Sequence, residues 1–238
     1  MSIPTIIHQT WKHKQIPVQF KSYVKSWKIH HPSWAYRFWD DNDNRHLIQT
    51  RYPWFLPIYD NYSFNIQRAD AVRYFILYTY GGLYVDLDYE CLKPVNTLLL
   101  NQSSVFTTEA PEHSDMHDVE YIISNAFMAS TPGHPFMYTI MKSLITYTPK
   151  QTCYDKFVLE TTGPFMLNRV FKHYHDPTNI SIIPSQYLSP LTYKEAESLR
   201  EKNHCEKIQT KLQHAYAVHH HAGTWWKNIE KVESHESN

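Results

Sequence analysis

Between Ile66 and Asp88 a helix-period run, two adjacent glycines and a short apolar strand ending in two carboxylates follow one another. Positions 69, 72, 75, 76 and 80 are apolar or small and recur at helical spacing. Gly81 supplies a helix stop that carries no Cβ, and the strand pattern Leu83-Tyr84-Val85 runs out into Asp86-Leu87-Asp88. A helix feeding a buried strand is the repeating unit of α/β domains. Two carboxylates one residue apart at the end of such a strand are costly unless a cation sits with them. A period-2 strand places Asp86 and Asp88 on one face, and their oxygens suit Mg²⁺ or Mn²⁺ beside a substrate phosphate. The expectation is a metal-diphosphate site at the C-terminal edge of a sheet, where open α/β sheets bind ligands.

The rest of the chain reads as more of the same alternation. Strand patterns fall at 5–9, 35–39, 105–107, 122–128, 181–184 and 215–218, and helical patterns at 18–30, 47–54, 66–80, 135–147 and 164–174. Residues 109–118 are polar and acidic and read as a mobile loop. With 238 residues and no linker or internal repeat, one α/β domain over 1–227 is expected, followed by a frayed tail at 228–238. The 23 basic and 23 acidic side chains cancel, so a nucleic-acid partner is not expected. Cys91, Cys153 and Cys205 stand too far apart in sequence for a CxxC pair or a disulfide framework. No run of 18 apolar residues and no secretory leader pattern occurs. A soluble, cytoplasmic protein is therefore expected, with peripheral membrane contact left open.

Further side chains fit a site at this edge. Asp70 and Arg73 lie three apart and share one helix face, either as an ordinary ion pair or as part of the site. His219-His220-His221, followed by Gly223 and Trp225-Trp226 after a late strand, reads as a site rather than a surface accident, and imidazole beside carboxylates is acceptable to Mn²⁺. Residues 219–226 are expected to close over a donor diphosphate as a lid, with His220 reaching the metal and Trp225 or Trp226 covering the sugar. Trp11 can stack on a base or simply pack in the core. Thr161-Thr162-Gly163-Pro164 opens a helix and can present N–H groups to an anion or serve only as a cap.

In order along the chain, Ile3-Pro4-Thr5-Ile6-Ile7-His8-Gln9-Thr10-Trp11-Lys12, Arg68-Ala69-Asp70-Ala71-Val72-Arg73-Tyr74 and Tyr80 to Asp88 resemble the DXD-containing sugar transferases (glycosyltransferase family 32). Ser124 to Ser130 with His134-Pro135-Phe136, Thr162-Gly163-Pro164, and His219-His220 before Gly223-Thr224-Trp225 fit the same family, so the resemblance spans residues 3–226. The family covers fungal initiation-type α-mannosyltransferases and inositol phosphorylceramide mannosyltransferases, and the latter branch is the nearer one. The resemblance implies a single GT-A (Rossmann-like) nucleotide-sugar-binding domain with a mixed central sheet and a bound Mn²⁺ or Mg²⁺. It also implies transfer with retention of configuration.

By carry-over, Asp88, Asp86 and His220 would be metal ligands. His220 matches a His-x-x-Gly ligand, but His221 stands where the family usually has a bulky aromatic, so the choice among the three histidines stays open. Thr10, Trp11, Asp70, Arg73, Tyr84, Asp86 and Trp225 would contact the donor, with Asp70, Arg73 and Asp86 closest to the chemistry. The implied donor is GDP-mannose first and a UDP-hexose next, and the acceptor is a hydroxyl of a glycan or glycolipid. A bacterial or large-virus enzyme building surface glycans would suit a compact chain of this kind. Two other functions fit the acidic pair less well: a metal-dependent phosphohydrolase, which usually carries its Asp-x-Asp on the first strand, and a non-catalytic nucleotide-sugar-binding module.

Overall fold

The computed structural model describes residues 2–146, 153–203 and 205–223, the side chain of Asp155 excepted. The expected tail at 228–238 and Trp225 and Trp226 lie outside the described residues. The strands are β1 (Ile6–Thr10), β2 (Ala35–Trp39), β3 (Gly82–Val85), β4 (Tyr89–Cys91), β5 (Ser104–Thr108), β6 (Ile123–Ser130), β7 (Ser181–Ile183) and β8 (Ala217–His219). Six of them form one mixed sheet in the order β2-β1-β3-β6-β5-β7, and β4 pairs with β8 in a separate two-stranded ribbon. Strand β1 is parallel to both β2 and β3, while β6 is antiparallel to β3 and to β5. Consequently β1, β3 and β5 all point the same way, and their C-terminal ends lie along one edge. This is the α/β architecture read from the sequence.

The helices are α1 (Lys21–His30), α2 (Asp41–Arg51), α3 (Leu56–Asp60), α4 (Asn65–Tyr80), α5 (Asn96–Leu99), α6 (Pro111–Met116), α7 (Pro135–Thr146), α8 (Tyr154–Thr161), α9 (Pro164–Lys172), α10 (Ser185–Leu188), α11 (Tyr193–Arg200) and α12 (Glu206–Gln213). Helix α2 starts six residues before the apolar periodicity suggested, because a capping box sets its beginning. Asp40 Oδ1 accepts from the Asp43 backbone N–H at 2.8 Å, and Asp43 Oδ2 accepts from the Asp40 N–H at 3.2 Å. The expected loop at 109–118 instead contains α6, with Pro111 in its first turn and His113 and Ser114 buried. Polar composition hid this element, because its buried positions are themselves polar.

Helix α4 is enclosed on all sides: every residue from Asp70 to Leu77 is buried. It packs against α7, α2, α3 and α8 as well as β3 and β6, so the one-sided apolar face read from the sequence is only part of its contact surface. Its polar residues must then find partners inside the protein; Gln67, for example, donates to Thr161 Oγ1 at 2.9 Å. The turn out of α4 needs both glycines. Gly81 has φ +62°, and a Cβ there would sit 2.7 Å from Pro132 Cδ; Gly82 has φ +94°, and a Cβ there would sit 2.6 Å from the Ile6 carbonyl. The close approach lets β3 slot between β1 and β6 immediately after the helix.

Candidate active site

A cleft of about 670 Å³ opens along the C-terminal edge of β1, β3 and β5, and Asp86 and Asp88 lie in its wall. The two carboxylates do not converge by strand alternation, as the sequence suggested. Strand β3 ends at Val85, and Asp86 to Asp88 form a turn closed by the Tyr89 N–H donating to the Asp86 carbonyl at 3.1 Å. Each carboxylate is then fixed separately. Asp86 accepts from the Tyr84 hydroxyl at 2.7 Å and lies 3.5 Å from Arg73 Nη1. Asp88 lies 3.2 Å from His219 Nε2 and accepts from the Ala222 backbone N–H at 2.9 Å. Burial, reinforced by the neighbouring Asp88 charge and opposed by Arg73, pushes the Asp86 carboxyl up. Burial also works against ionisation of Asp88, but His219 and the Ala222 N–H outweigh it and hold Asp88 down to about 2. His219 is raised in turn, its desolvation overcome by the Asp88 charge.

Among the histidines, which the sequence left open with His220 put first, the structure groups His219 with the acidic pair. Asp86, Asp88 and His219 each offer one ligand atom, all within 4.8 Å of one another. Directly past the end of β8 the next ring turns away: His220 Nε2 is 2.9 Å from Glu90 Oε2, and its ring stacks on Tyr23 at 4.2 Å. All three histidines are buried, and β8 is held by β4 through Tyr89–His219, Glu90–Val218 and Cys91–Ala217 pairing. The described part of the expected lid, 219–223, is therefore a built-in wall of the site. Two carboxylates and an imidazole fit a divalent cation of the Mn²⁺ type better than Mg²⁺, which prefers oxygen alone.

Asp70 and Arg73 form the ion pair expected from their spacing, at 2.9 Å, with side chains only 8% and 4% exposed. Asp70 also accepts from Asn125 Nδ2 at 3.2 Å and from Thr162 Oγ1 at 3.1 Å. Thr162 thus anchors this carboxylate; the N–H of Gly163 donates to the Val158 carbonyl. Burial, with the Asp86 charge adding to it and Arg73 opposing it, pushes Asp70 up to about 6. Arg73 donates to the carbonyls of Asn125 at 2.8 Å and Ala69 at 3.3 Å, and its guanidinium lies 4.9 Å from the Tyr84 ring. Its charge therefore acts on the cleft largely through Asp86. Asn125 was not singled out from the sequence, although an amide within the buried strand β6 is the signal that marks it.

On the β1 side of the acidic pair the cleft is walled by Thr10, Trp11 and Lys12. Thr10 Oγ1 accepts from Asn44 Nδ2 at 2.8 Å, and the Trp11 ring meets Phe20 edge-on at 5.6 Å. The Trp11 Nε1 is buried without a partner among the described residues. Behind them His8 Nε2 donates to the Gly81 carbonyl at 3.0 Å while its Nδ1 accepts from Trp39 Nε1 at 3.2 Å. Gln9 Nε2 reaches the Asp86 carbonyl at 3.2 Å. The first strand is therefore tied directly to the turn that carries the carboxylates. Among the described residues no helix is long and apolar enough to cross a membrane.

Two family models match the chain: the glycosyltransferase sugar-binding region containing the DXD motif over residues 17–105, and the alpha 1,4-glycosyltransferase conserved region over residues 129–237. The inositol phosphoceramide mannosyltransferase 1 of Schizosaccharomyces pombe is 35% identical over 75% of this chain and 55% of its own length. The chain spans about half the length of the fungal relatives it matches. An uncharacterized glycosyltransferase of Acanthamoeba polyphaga mimivirus is 30% identical over 79% of this chain and 73% of that protein. In fold the chain resembles the PaToxG glycosyltransferase, with a TM-score of 0.53 at 13% identity, over 89% of this chain and 78% of that one.

Proposed function

The chain belongs to the glycosyltransferases whose sugar-binding region contains the DXD motif, and from that premise we propose that it transfers a hexose from a nucleotide sugar to a hydroxyl of a glycan or glycolipid, with retention. Mannose from GDP-mannose is the first choice of donor, since several similar proteins are named mannosyltransferases; a UDP-hexose is the second. The observation that carries this reading is the Asp86–Asp88–His219 group in the wall of a cleft large enough for a nucleotide sugar. Residues 1–227 would form the transferase domain.

In this reading Thr10 and Trp11 receive the nucleoside on the β1 side. Asp86, Asp88 and His219 would hold a divalent cation, which when bound neutralises charge developing on the leaving diphosphate. Arg73 keeps positive charge beside Asp86 and opposes the effect of burial on that carboxyl. Asp70, fixed by Arg73, Asn125 and Thr162, keeps a carboxylate edge in the cleft wall for donor-sugar hydroxyls. The diphosphate oxygen, rather than a side chain, would take the proton of the incoming hydroxyl.

Incubating the protein with GDP-mannose or UDP-hexoses in Mn²⁺, and following release of the nucleoside diphosphate, tests the reading directly. Turnover that disappears in excess chelator is the expected result. Undiminished turnover in chelator would remove the cation from the scheme, and no turnover of any nucleotide sugar would favour a non-catalytic binding module.

A further inference from the structure

The topology divides the cleft at the acidic pair. Along the edge the strand order is β1, β3, β6, β5, so Trp11 after β1 and the residues that follow β5 lie on opposite sides of Asp86 and Asp88. The residue directly after β5 is Glu109, which lines the cleft with a side chain 11% exposed. Its Oε2 lies 3.0 Å from His113 Nδ1. His113 Nε2 accepts the Tyr193 backbone N–H at 3.1 Å, so the ring proton belongs on Nδ1 and is donated to Glu109. His113 is itself clamped, stacked on Tyr193 at 3.6 Å and 10°. One oxygen of Glu109 is thus fixed inward, and Oε1 has no hydrogen-bond partner among the described residues.

A second polar atom waits in the same wall. His221, 6% exposed, meets His113 and Tyr193 edge-on at 4.9 and 4.8 Å. Its Nε2 is buried without a hydrogen-bond partner among the described residues. His221 lines the cleft, and a buried ring nitrogen without a partner is costly unless a ligand meets it.

We propose that Glu109 is the acceptor-binding carboxylate of this cleft, taking hydrogen bonds on Oε1 from the hydroxyls of a neutral polyol ring, a sugar or a cyclitol, with His221 Nε2 as the second contact. The inference rests on the glycosyl-transfer reading, which places the nucleoside at Trp11 and leaves the β5 side for the acceptor. A ring rich in hydroxyls matches a wall that offers a carboxylate oxygen and a ring nitrogen, and the neighbouring cation, Arg200, is engaged with the His221 carbonyl at 3.3 Å. An anionic group at the same spot would face Glu109, Asp86 and Asp88 together.

Glu109→Gln is the informative variant. The His113 Nδ1–H requires an oxygen, so the amide must turn its NH₂ towards the cleft, and an acceptor becomes a donor with little change of volume. The probes are methyl α-D-mannopyranoside and myo-inositol, and the readout is the ratio of transfer to hydrolysis of the donor, each variant being its own reference. In the wild type at least one probe should accelerate release of nucleoside diphosphate above hydrolysis. In Glu109→Gln the transfer-to-hydrolysis ratio should fall roughly 10- to 100-fold, the range for losing a hydrogen bond to a charged group. Glu109→Asp, which keeps the charge but shortens its reach, should fall between the two and guards against a folding defect in the first variant. Melting temperatures with nucleotide and Mn²⁺ should match across the set. A wild-type ratio in both variants overturns the assignment, as does a wild type that hydrolyses the donor but responds to neither probe. Absence of any donor turnover is a different failure, that of the transferase reading itself.

Discussion

At the scale of single residues, neighbours in sequence have different work because the backbone leaving β8 points their rings to different partners. His219 faces Asp88 and His220 faces Glu90. His219→Ala should weaken Mn²⁺ binding by at least about 100-fold, since groups one step removed from a metal already cost 10–100-fold. His220→Ala should leave Mn²⁺ affinity within about 10-fold and act on stability instead, by about 1–3 kcal/mol for the lost Glu90 contact. Titration calorimetry with Mn²⁺ separates the two, and equal losses of affinity would return His220 to the site. His8 supplies a pH effect. Burial, aided by the Arg37 charge and opposed by the Gly81 carbonyl, lowers its pKa from 6.5 to about 4. The unfolded chain therefore binds this proton more readily than the folded one. Stability from neutral His8 is complete above pH 6.5 and is lost as pH falls through 4, to the extent of about 3 kcal/mol. His8→Gln, which keeps a donor and an acceptor in one side chain, should flatten that limb when urea midpoints are compared at pH 7.5 and 4.5.

At the scale of elements, the helix-turn-strand passage from α4 into β3 tolerates little. Gly82→Ala should cost at least about 3 kcal/mol, combining left-handed strain with a Cβ 2.6 Å from the Ile6 carbonyl. Gly133 has φ +69° but nothing within 4 Å of its built Cβ, so Gly133→Ala should cost only about 1 kcal/mol. Urea denaturation of both variants checks the contrast; equal costs would show that backbone strain alone sets the penalty. This passage was legible in the sequence because local rules control it: helical spacing, a glycine stop, a strand, two carboxylates. The ribbon of β4 and β8 was not. Tyr89-Glu90-Cys91 is too short for a periodic signal, and its partner lies more than a hundred residues away, so only tertiary pairing defines it. That His219 and not His220 stands beside the acidic pair depends on that ribbon's register, which is why the histidine run drew notice in the sequence while the ring that joins the carboxylates could not be picked out. Helix α6 was missed for the opposite reason, since its buried residues, His113 and Ser114, look like surface ones.

At the scale of the whole molecule, the two halves of the cleft are bound by different parts of the chain, and ligand binding should lock them together. GDP-mannose with Mn²⁺ at a hundred times its dissociation constant should raise unfolding stability by about 2.7 kcal/mol. Asp88→Ala should abolish that gain, and a thermal shift that survives both chelator and Asp88→Ala would place the donor elsewhere. The Asp88–Ala222 hydrogen bond joins residues 134 positions apart, and this separation sets a clock. During synthesis at ~5–20 residues per second, the acidic pair leaves the ribosome on the order of ten seconds before the imidazole that stands beside it. When that interval opens β1, β2 and β3 are already made, and β5, β6 and β7 follow within it, yet the carboxylates have neither His219 nor the Ala222 N–H. A nascent chain can thus assemble much of its scaffold while remaining chemically silent, and its competence arrives in one late step, when β8 zips onto β4.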